Sequence, residues 1–391
     1  MEYTINLKDG VKSKEYNTPH AKYQILNRSV HCADEEYRSV VIDPDTKKIL
    51  CFAPPKSVSI EQFTAQNIDT EEIEATEIIE GTMINLFYDE RIQSWEIATK
   101  SAIGGNYWFF RTQYNTNKDE IQLTFRDMFI EAFRESPGTK LNDIAFIQTL
   151  DKTMVYSFVL QHPYNHIVLP IGFASVYIVA VYKIVSENMV RYIPFKDISL
   201  DFINSHVLRP SVCKPSDCDT MKLCDYRNMG IMLYNPKTGL RTSVLNPQYT
   251  TMKEFRGNNP NLQYQYLCLS RIGKVKEYLD AFPIYKNMFY GFNQQSAAFI
   301  RMLHNAYVTY FINKRGRDVQ IDRHIFRHIC NLHNRVYLPS LNSGNKIIVN
   351  RKVVADYFNA MEPKEQLYHV NYQNREFLLD KKCKIESESV Q

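Results

Sequence analysis

The sequence predicts an α+β protein in two parts, a strand-rich region over residues 1–268 and a helical region over 269–375, followed by a charged tail over 376–391. Three observations lead there. Short β-branched and aromatic runs punctuated by turn residues dominate the first part, and apolar residues at helical spacing dominate the second. The third is size: 391 residues with 44% hydrophobic content can bury at least one large core and divide into two domains.

Each element has a local cause. Val40, Val41 and Ile42, then Ile49, Leu50, Cys51 and Phe52, flank Asp43-Pro44-Asp45-Thr46, whose Pro and Asp favour the tight reversal of a β-hairpin. Residues 83–88 and 95–99 are β-prone runs around the polar loop Asp89-Glu90-Arg91, a second hairpin. Phe125, Met128, Phe129, Ala132 and Phe133 recur at helical spacing, and Thr124 with Asp127 has the form of a capping box, so one amphipathic helix interrupts the strands. Strands are expected again over 155–159, 167–169, 176–182 and 230–234. Beyond Arg271, Phe299, Met302, Leu303, Ala306 and Tyr310 form one helical stripe; Val353, Val354, Tyr357, Phe358 and Met361 form another behind the N-cap candidate Asn350.

Composition excludes little. A net charge of +4, from 47 basic and 43 acidic residues, is too mild to demand a nucleic-acid partner. The opening residues lack the basic segment and apolar run of a secretory signal, so export is not expected. The longest apolar stretch, 167–182, spans 16 residues and carries Pro170 and Gly172, which suits buried strands better than a membrane span. Eight scattered cysteines read as reduced thiols.

The run Ile78-Ile79-Glu80-Gly81-Thr82 has the form Lys-x-Asp/Glu-Gly with its lysine missing. After it, Met83-Ile84-Asn85-Leu86-Phe87, then Trp95-Glu96-Ile97-Ala98-Thr99-Lys100, then Tyr156-Ser157-Phe158-Val159-Leu160-Gln161-His162-Pro163, and last Leu262-Gln263-Tyr264-Gln265-Tyr266-Leu267 stand in an order that resembles the bacteriophage-type RNA ligases. These belong to the covalent nucleotidyltransferase superfamily, and the runs are most similar to a ligase-like group from large DNA viruses. The resemblance spans roughly 36–270 and implies a nucleotidyltransferase core, ATP-grasp-like, of antiparallel sheets with flanking helices, followed by a helical C-terminal domain.

In that family a motif lysine attacks the α-phosphate of ATP, giving a lysyl-adenylate that passes to a 5′-phosphate. The chemistry needs an amine nucleophile, cations against the phosphates and carboxylates for a divalent metal. Here Ile78 holds the nucleophile position and cannot form a phosphoramidate. Lys8-Asp9-Gly10 lacks the intervening residue, and Lys56 follows Pro54-Pro55 ahead of the motif. The resemblance leaves Glu80 as the ribose-contacting acid and Gly81 as the point of close backbone approach. Thr99-Lys100-Ser101-Ala102-Ile103 resembles the next ligase motif, so Lys100 is a phosphate candidate, against the reading of an ordinary exposed lysine. Phe158 is the nearest adenine-stacking candidate, and filling the core of a buried strand is favoured over that role. Met229 stands at the position of the downstream metal acid, and a thioether is a poor ligand for a hard cation. The closing Lys-x-Lys motif maps onto Ser243-Val244-Leu245, leaving Arg241 as the nearby positive charge.

Other clusters carry less. Cys213, Cys218 and Cys224 lack short hook spacing and a fourth ligand, which favours a polar loop over a zinc site. His324, His328, Cys330 and His333 share a stretch with Arg323, Arg327 and Arg335 and have no acid of the His-Glu-x-x-His kind, so a basic helix surface is expected there rather than a metal site. Lys314, Arg315, Arg317, Arg323 and Arg327 are the main nucleic-acid candidates, with Arg256 a second basic element and 26 tyrosines as stacking faces.

Together these features point to a ligase-like protein with a degenerate catalytic pocket, binding nucleic acid or nucleotide without a lysyl-adenylate. No cofactor and no metal are expected. ATP and Mg²⁺ enter only if another lysine sustains an active ATP-dependent RNA ligase; a structural or assembly protein reusing the fold is the third reading. The expected partner is RNA or single-stranded DNA, not a membrane, and the expected setting is the host cytoplasm of an infected cell or the virion.

Overall fold

The computed structural model describes residues 1–5, 12–27, 38–66, 73–107, 123–198, 207–257, 259, 261–315, 321–342 and 346–372. Arg317 and the expected tail at 376–391 lie outside the described residues. The architecture is α+β, and the described residues fall into two units that divide at Gly257.

Among the described residues, fifteen strands lie in the first unit: β1 (Glu2–Thr4), β2 (Lys12–Asn17), β3 (Lys22–Asn27), β4 (Arg38–Ile42), β5 (Ile49–Cys51), β6 (Glu74–Glu77), β7 (Thr82–Asp89), β8 (Ser94–Ala98), β9 (Met154–Gln161), β10 (Ser175–Ser186), β11 (Met189–Tyr192), β12 (Val207–Leu208), β13 (Val212–Cys213), β14 (Gly230–Tyr234) and β15 (Arg241–Leu245). They build three sheets. The largest runs β1-β11-β10-β9-β7-β8 with β12 parallel to β10; the others run β13-β6-β14-β15 and β2-β3-β4-β5. Short helices α1 (Ile60–Gln66), α2 (Phe125–Glu131), α3 (Ala145–Gln148), α4 (Asp217–Thr220) and α5 (Pro247–Arg256) accompany them.

Side-chain alternation along the central strands decides the layering. One face of the large sheet, through Ile84, Leu86, Tyr156, Phe158, Val176 and Ile178, buries against Phe125, Met128 and Phe129 of α2 and Ile147 of α3. The other face, through Phe87, Ala98, Val155 and Tyr182, packs on Tyr23, Ile25, Val40, Val41 and Phe52 of the β2–β5 sheet. The β13-β6-β14-β15 sheet has its own small core, where Phe63 of α1 meets Ala75, Ile231 and Leu233.

Both expected hairpins form, as β4–β5 and β7–β8. Thr124 caps α2 through the anticipated reciprocal bonds with Asp127. The expected strand at 167–169 does not form: its backbone N–H groups turn onto a buried carboxylate instead of a strand neighbour. Apolar content alone could not distinguish the two, because both bury the same side chains.

The second unit is helical: α6 (Leu262–Arg271), α7 (Val275–Ala281), α8 (Lys286–Tyr307), α9 (Arg323–Leu332), α10 (Leu338–Asn342), α11 (Arg351–Asn359) and α12 (Pro363–Val370). Its core joins Phe299, Leu303 and Tyr307 of α8, Ile325, Ile329 and Leu332 of α9, and Val354 and Phe358 of α11; Phe299, Leu303, Val354 and Phe358 belong to the two stripes expected from spacing. Asn350 caps α11 by accepting from Val353 N at 3.0 Å. Helix α6 belongs here, not to the strand-rich part as the boundary at 268 had it: Asn371 Nδ2 donates to Gln263 Oε1 at 2.8 Å, and Tyr266 meets Phe289 edge-on at 5.5 Å. No helix among the described residues is long and apolar enough to cross a membrane.

Candidate functional site

The Ile78–Gly81 segment is the crossover between two sheets. Ile78 N still donates to Gly230 O at 2.9 Å, continuing the β6–β14 edge, and four residues later Thr82 opens β7 opposite Leu160 of β9. Glu80 falls in the interval and is 1% exposed.

Its carboxylate is fully engaged by the protein. Backbone N–H groups of Ile167, Val168 and Leu169 donate to it at 2.7, 3.0 and 3.3 Å, and the Tyr249 hydroxyl donates at 2.8 Å. Gln161 Nε2 donates to the Glu80 carbonyl at 3.0 Å, and Asn165 Nδ2 to Thr82 Oγ1 at 2.7 Å. Three successive N–H groups converging on one anion make a nest, here filled by an acid of the same chain. Burial, reinforced by the Glu80 charge, pushes the Tyr249 phenol well above its ordinary range and keeps it a donor. Glu80 therefore ties the 167–169 segment and α5 to the sheet crossover, and its oxygens do not stand free for a ribose.

The neighbouring glycine has an equally local cause. A Cβ on Gly81 would lie 2.3 Å from Leu160 O and 2.7 Å from Val159 Cγ1, so strand pairing with β9 itself demands the missing side chain. Replacing Gly81 with Ala is expected to destabilise the strand-rich unit by about 1–3 kcal/mol through overpacking. The urea midpoint of the variant checks this, and an unchanged midpoint would refute it.

Arg256 does not serve as an exposed basic element. It is 3% exposed, and its Nη1 donates to Gly257 O at 3.0 Å. His166 lies close enough to feel both Arg256 and Glu80; burial holds its pKa below the usual value, Arg256 lowers it further, and Glu80 opposes the shift. The cation thus belongs to the surroundings of the buried carboxylate.

Phe158 takes the favoured of its two roles and fills the core. It is fully buried, 5.8 Å from the Phe129 ring of α2 and 6.5 Å from Phe146 of α3. Alternation gives the reason: Ser157 and Val159 face the opposite side of β9, where Ser157 donates to buried Asn85 Oδ1 at 2.8 Å. A ring on the helix side of the sheet presents no face to a nucleotide.

Two cations keep accessible positions. Lys100 is exposed on a short turn after β8, closed by Thr99 N to Ala102 O at 2.8 Å. The turn is anchored by Ser39 donating to Lys100 O at 2.8 Å and by the Tyr16 hydroxyl on Ser101 O. Arg241, on β15 and half-buried, donates from Nη2 to Met232 Sδ at 3.3 Å, while its buried Nε has no partner among the described residues. Arg38 is near enough that desolvation and then repulsion from Arg241 lower its pKa. No hydrogen bond or ion pair among the described residues joins Lys100 or Arg241 to Glu80.

In the helical unit Lys314, Arg315, Arg323 and Arg327 are all exposed, the first pair beyond α8 and the second on α9. Phe326 of α9, 36% exposed, lies edge-on to Tyr310 at 5.1 Å. Sequence reasoning missed the Glu80 partners, because Tyr249 and the 167–169 backbone are far from it in the chain. The Asn246-Pro247 N-cap of α5 was the available hint that a helix there could carry Tyr249 inward.

No family model matches the sequence, and neither does any curated protein. Among solved structures, an RNA ligase of Naegleria gruberi, in a lysine-to-alanine variant with ATP and Mn, is similar at 7% identity and TM-score 0.37, over 53% of this chain and 60% of that one. The same ligase with PPi gives 6% identity and TM-score 0.36, over 53% and 60%. A candidate ATP-dependent DNA ligase from Aquifex aeolicus gives 9% identity and TM-score 0.38, over 83% and 85%. The chain thus spans about three-fifths of the Naegleria ligase chains.

Proposed function

We propose that this protein is a nucleic-acid-binding relative of the RNA ligases whose pocket has lost adenylyl transfer. The observation that carries the reading is the state of Glu80: the acid beside the nucleophile position accepts four bonds from its own chain, and that position holds Ile78. Met229, Ser243 and Leu245 at the metal and phosphate positions agree with it. A polyanion would contact the exposed Lys314, Arg315, Arg323 and Arg327, with Phe326 and Tyr310 as aromatic neighbours for unstacked bases. Single-stranded RNA or DNA suits that pairing better than a duplex. The motif order resembles ligase-like proteins of large DNA viruses, which supports an infected cell's cytoplasm or the virion as the setting.

Incubation of the full chain with ATP labelled at the α-phosphate, in the presence of Mg²⁺ or Mn²⁺, tests the loss of chemistry. No label should survive denaturing electrophoresis. A covalent adenylate, located to a lysine by mass spectrometry, would replace this reading with an active ligase.

A further inference from the structure

Helices α9 and α12 each carry two ligand-type residues one turn apart: His324 and His328 on the first, Glu365 and His369 on the second. Four-residue spacing puts each pair on one helix face. The fold brings the faces together. His328 Nε2 and His369 Nε2 meet at 2.9 Å, Glu365 Oε1 is 3.8 Å from His369 Nε2, and the ligand atoms of these three residues all lie within 4.8 Å of one another.

The rings are held for this meeting. The Tyr357 hydroxyl engages His328 Nδ1 at 2.9 Å and accepts from Asn331 Nδ2 at 3.3 Å, which leaves His328 Nε2 for the gap. His369 stacks on Phe299 with centroids 5.7 Å apart, and its buried Nδ1 has no hydrogen-bond partner among the described residues. Two neutral imidazoles can share only one proton across the gap. The nitrogen left without a hydrogen-bond partner is His369 Nδ1, whereas Nε2, the atom at the gap, lies beside His328 Nε2 and the Glu365 carboxylate.

We infer that His328, His369 and Glu365 bind one divalent transition cation of the zinc class, which fastens α9 to α12. Two imidazole nitrogens and a carboxylate are donors that zinc accepts in tetrahedral sites, leaving a fourth position to water. Two nitrogens on a tetrahedral zinc stand roughly 3.3 Å apart, so rotations of a few tenths of an ångström open the present gap. The Tyr357 contact is the outer partner that orients a ligating histidine. Arg327 works against a cation at this place. Glu365 works for it, and so does Asp322, whose Oδ1 is 2.8 Å from His324 Nδ1 at the rim. The α9 sequence alone lacked an acid; the acid and the second ligating histidine come from a helix 41 residues further along.

The test uses the full chain, free of affinity tag and stripped with chelator, titrated with Zn²⁺ by calorimetry and with Co²⁺ by visible absorption. One equivalent should bind, with cobalt bands of tetrahedral intensity and a higher melting temperature. Glu365→Gln, at an exposed carboxylate, should weaken Zn²⁺ by at least roughly 10-fold, the scale known for losing even an outer-shell partner. His369→Gln should abolish binding, with circular dichroism reporting whether the helices persist; if they do not, Glu365→Gln decides. Absence of stoichiometric binding to the parent chain, or binding undiminished by Glu365→Gln, overturns the site.

Discussion

Glu80→Ala is expected to lower the stability of the strand-rich unit by about 3–5 kcal/mol, with no ligand present. The substitution strands the N–H groups of Ile167, Val168 and Leu169 and the Tyr249 hydroxyl, all of which now point at one carboxylate. A buried donor left without its acceptor costs roughly 1–3 kcal/mol, and water entering the vacated space recovers part of the sum. Glu80→Gln keeps one acceptor oxygen but turns an amide N–H₂ toward other donors, so an intermediate loss is expected. Urea unfolding followed by tryptophan fluorescence reads the effect, since Trp95 is 3% exposed inside this unit. A Glu80→Ala protein as stable as the parent would show that the carboxylate does not clamp the crossover, and would reopen it as a ligand contact.

Affinity for single-stranded RNA should fall about 50-fold between 50 and 200 mM salt. Each phosphate neutralised on a single strand contributes a slope of about −0.7 in log affinity against log salt, and four contacts over a fourfold rise in salt give that factor. The four are Lys314, Arg315, Arg323 and Arg327. Changing all four to Ala should flatten the slope toward zero and weaken low-salt binding, while Arg256, being buried, should contribute nothing to it. Fluorescence anisotropy with a labelled oligonucleotide measures both quantities. A quadruple variant with the parent's slope would move the contact surface elsewhere; no binding by the parent at 50 mM salt would favour a structural or assembly role.

Elements whose cause is local are legible in the sequence. The Asp43-Pro44 turn, the Thr124–Asp127 capping box and the Asn350 cap act within a few residues, and each is found as expected. The 167–169 segment shows where such reading stops. Its apolar residues suit a strand, but whether its N–H groups face a neighbouring strand or a carboxylate is decided by a residue more than 80 positions away. Phe158 meets the same limit: the core role was favoured for it, and sequence supplies the alternation along β9, yet not which face meets helices α2 and α3. Arg256 reads as a surface cation by type, and only the packing around His166 and Glu80 shows it buried.

By itself the sequence determined the hairpins, the caps and the absence of an amine at residue 78, because spacing and side-chain chemistry are properties of the chain. Only the tertiary structure decided that Glu80 is satisfied from within, that Gly81 lies too close to Leu160 for a side chain, and that His328 meets an acid and a second histidine of α12. Those outcomes depend on which distant groups share a desolvated space. There a charge or a polar atom must find a partner, and the partner's distance along the chain is immaterial.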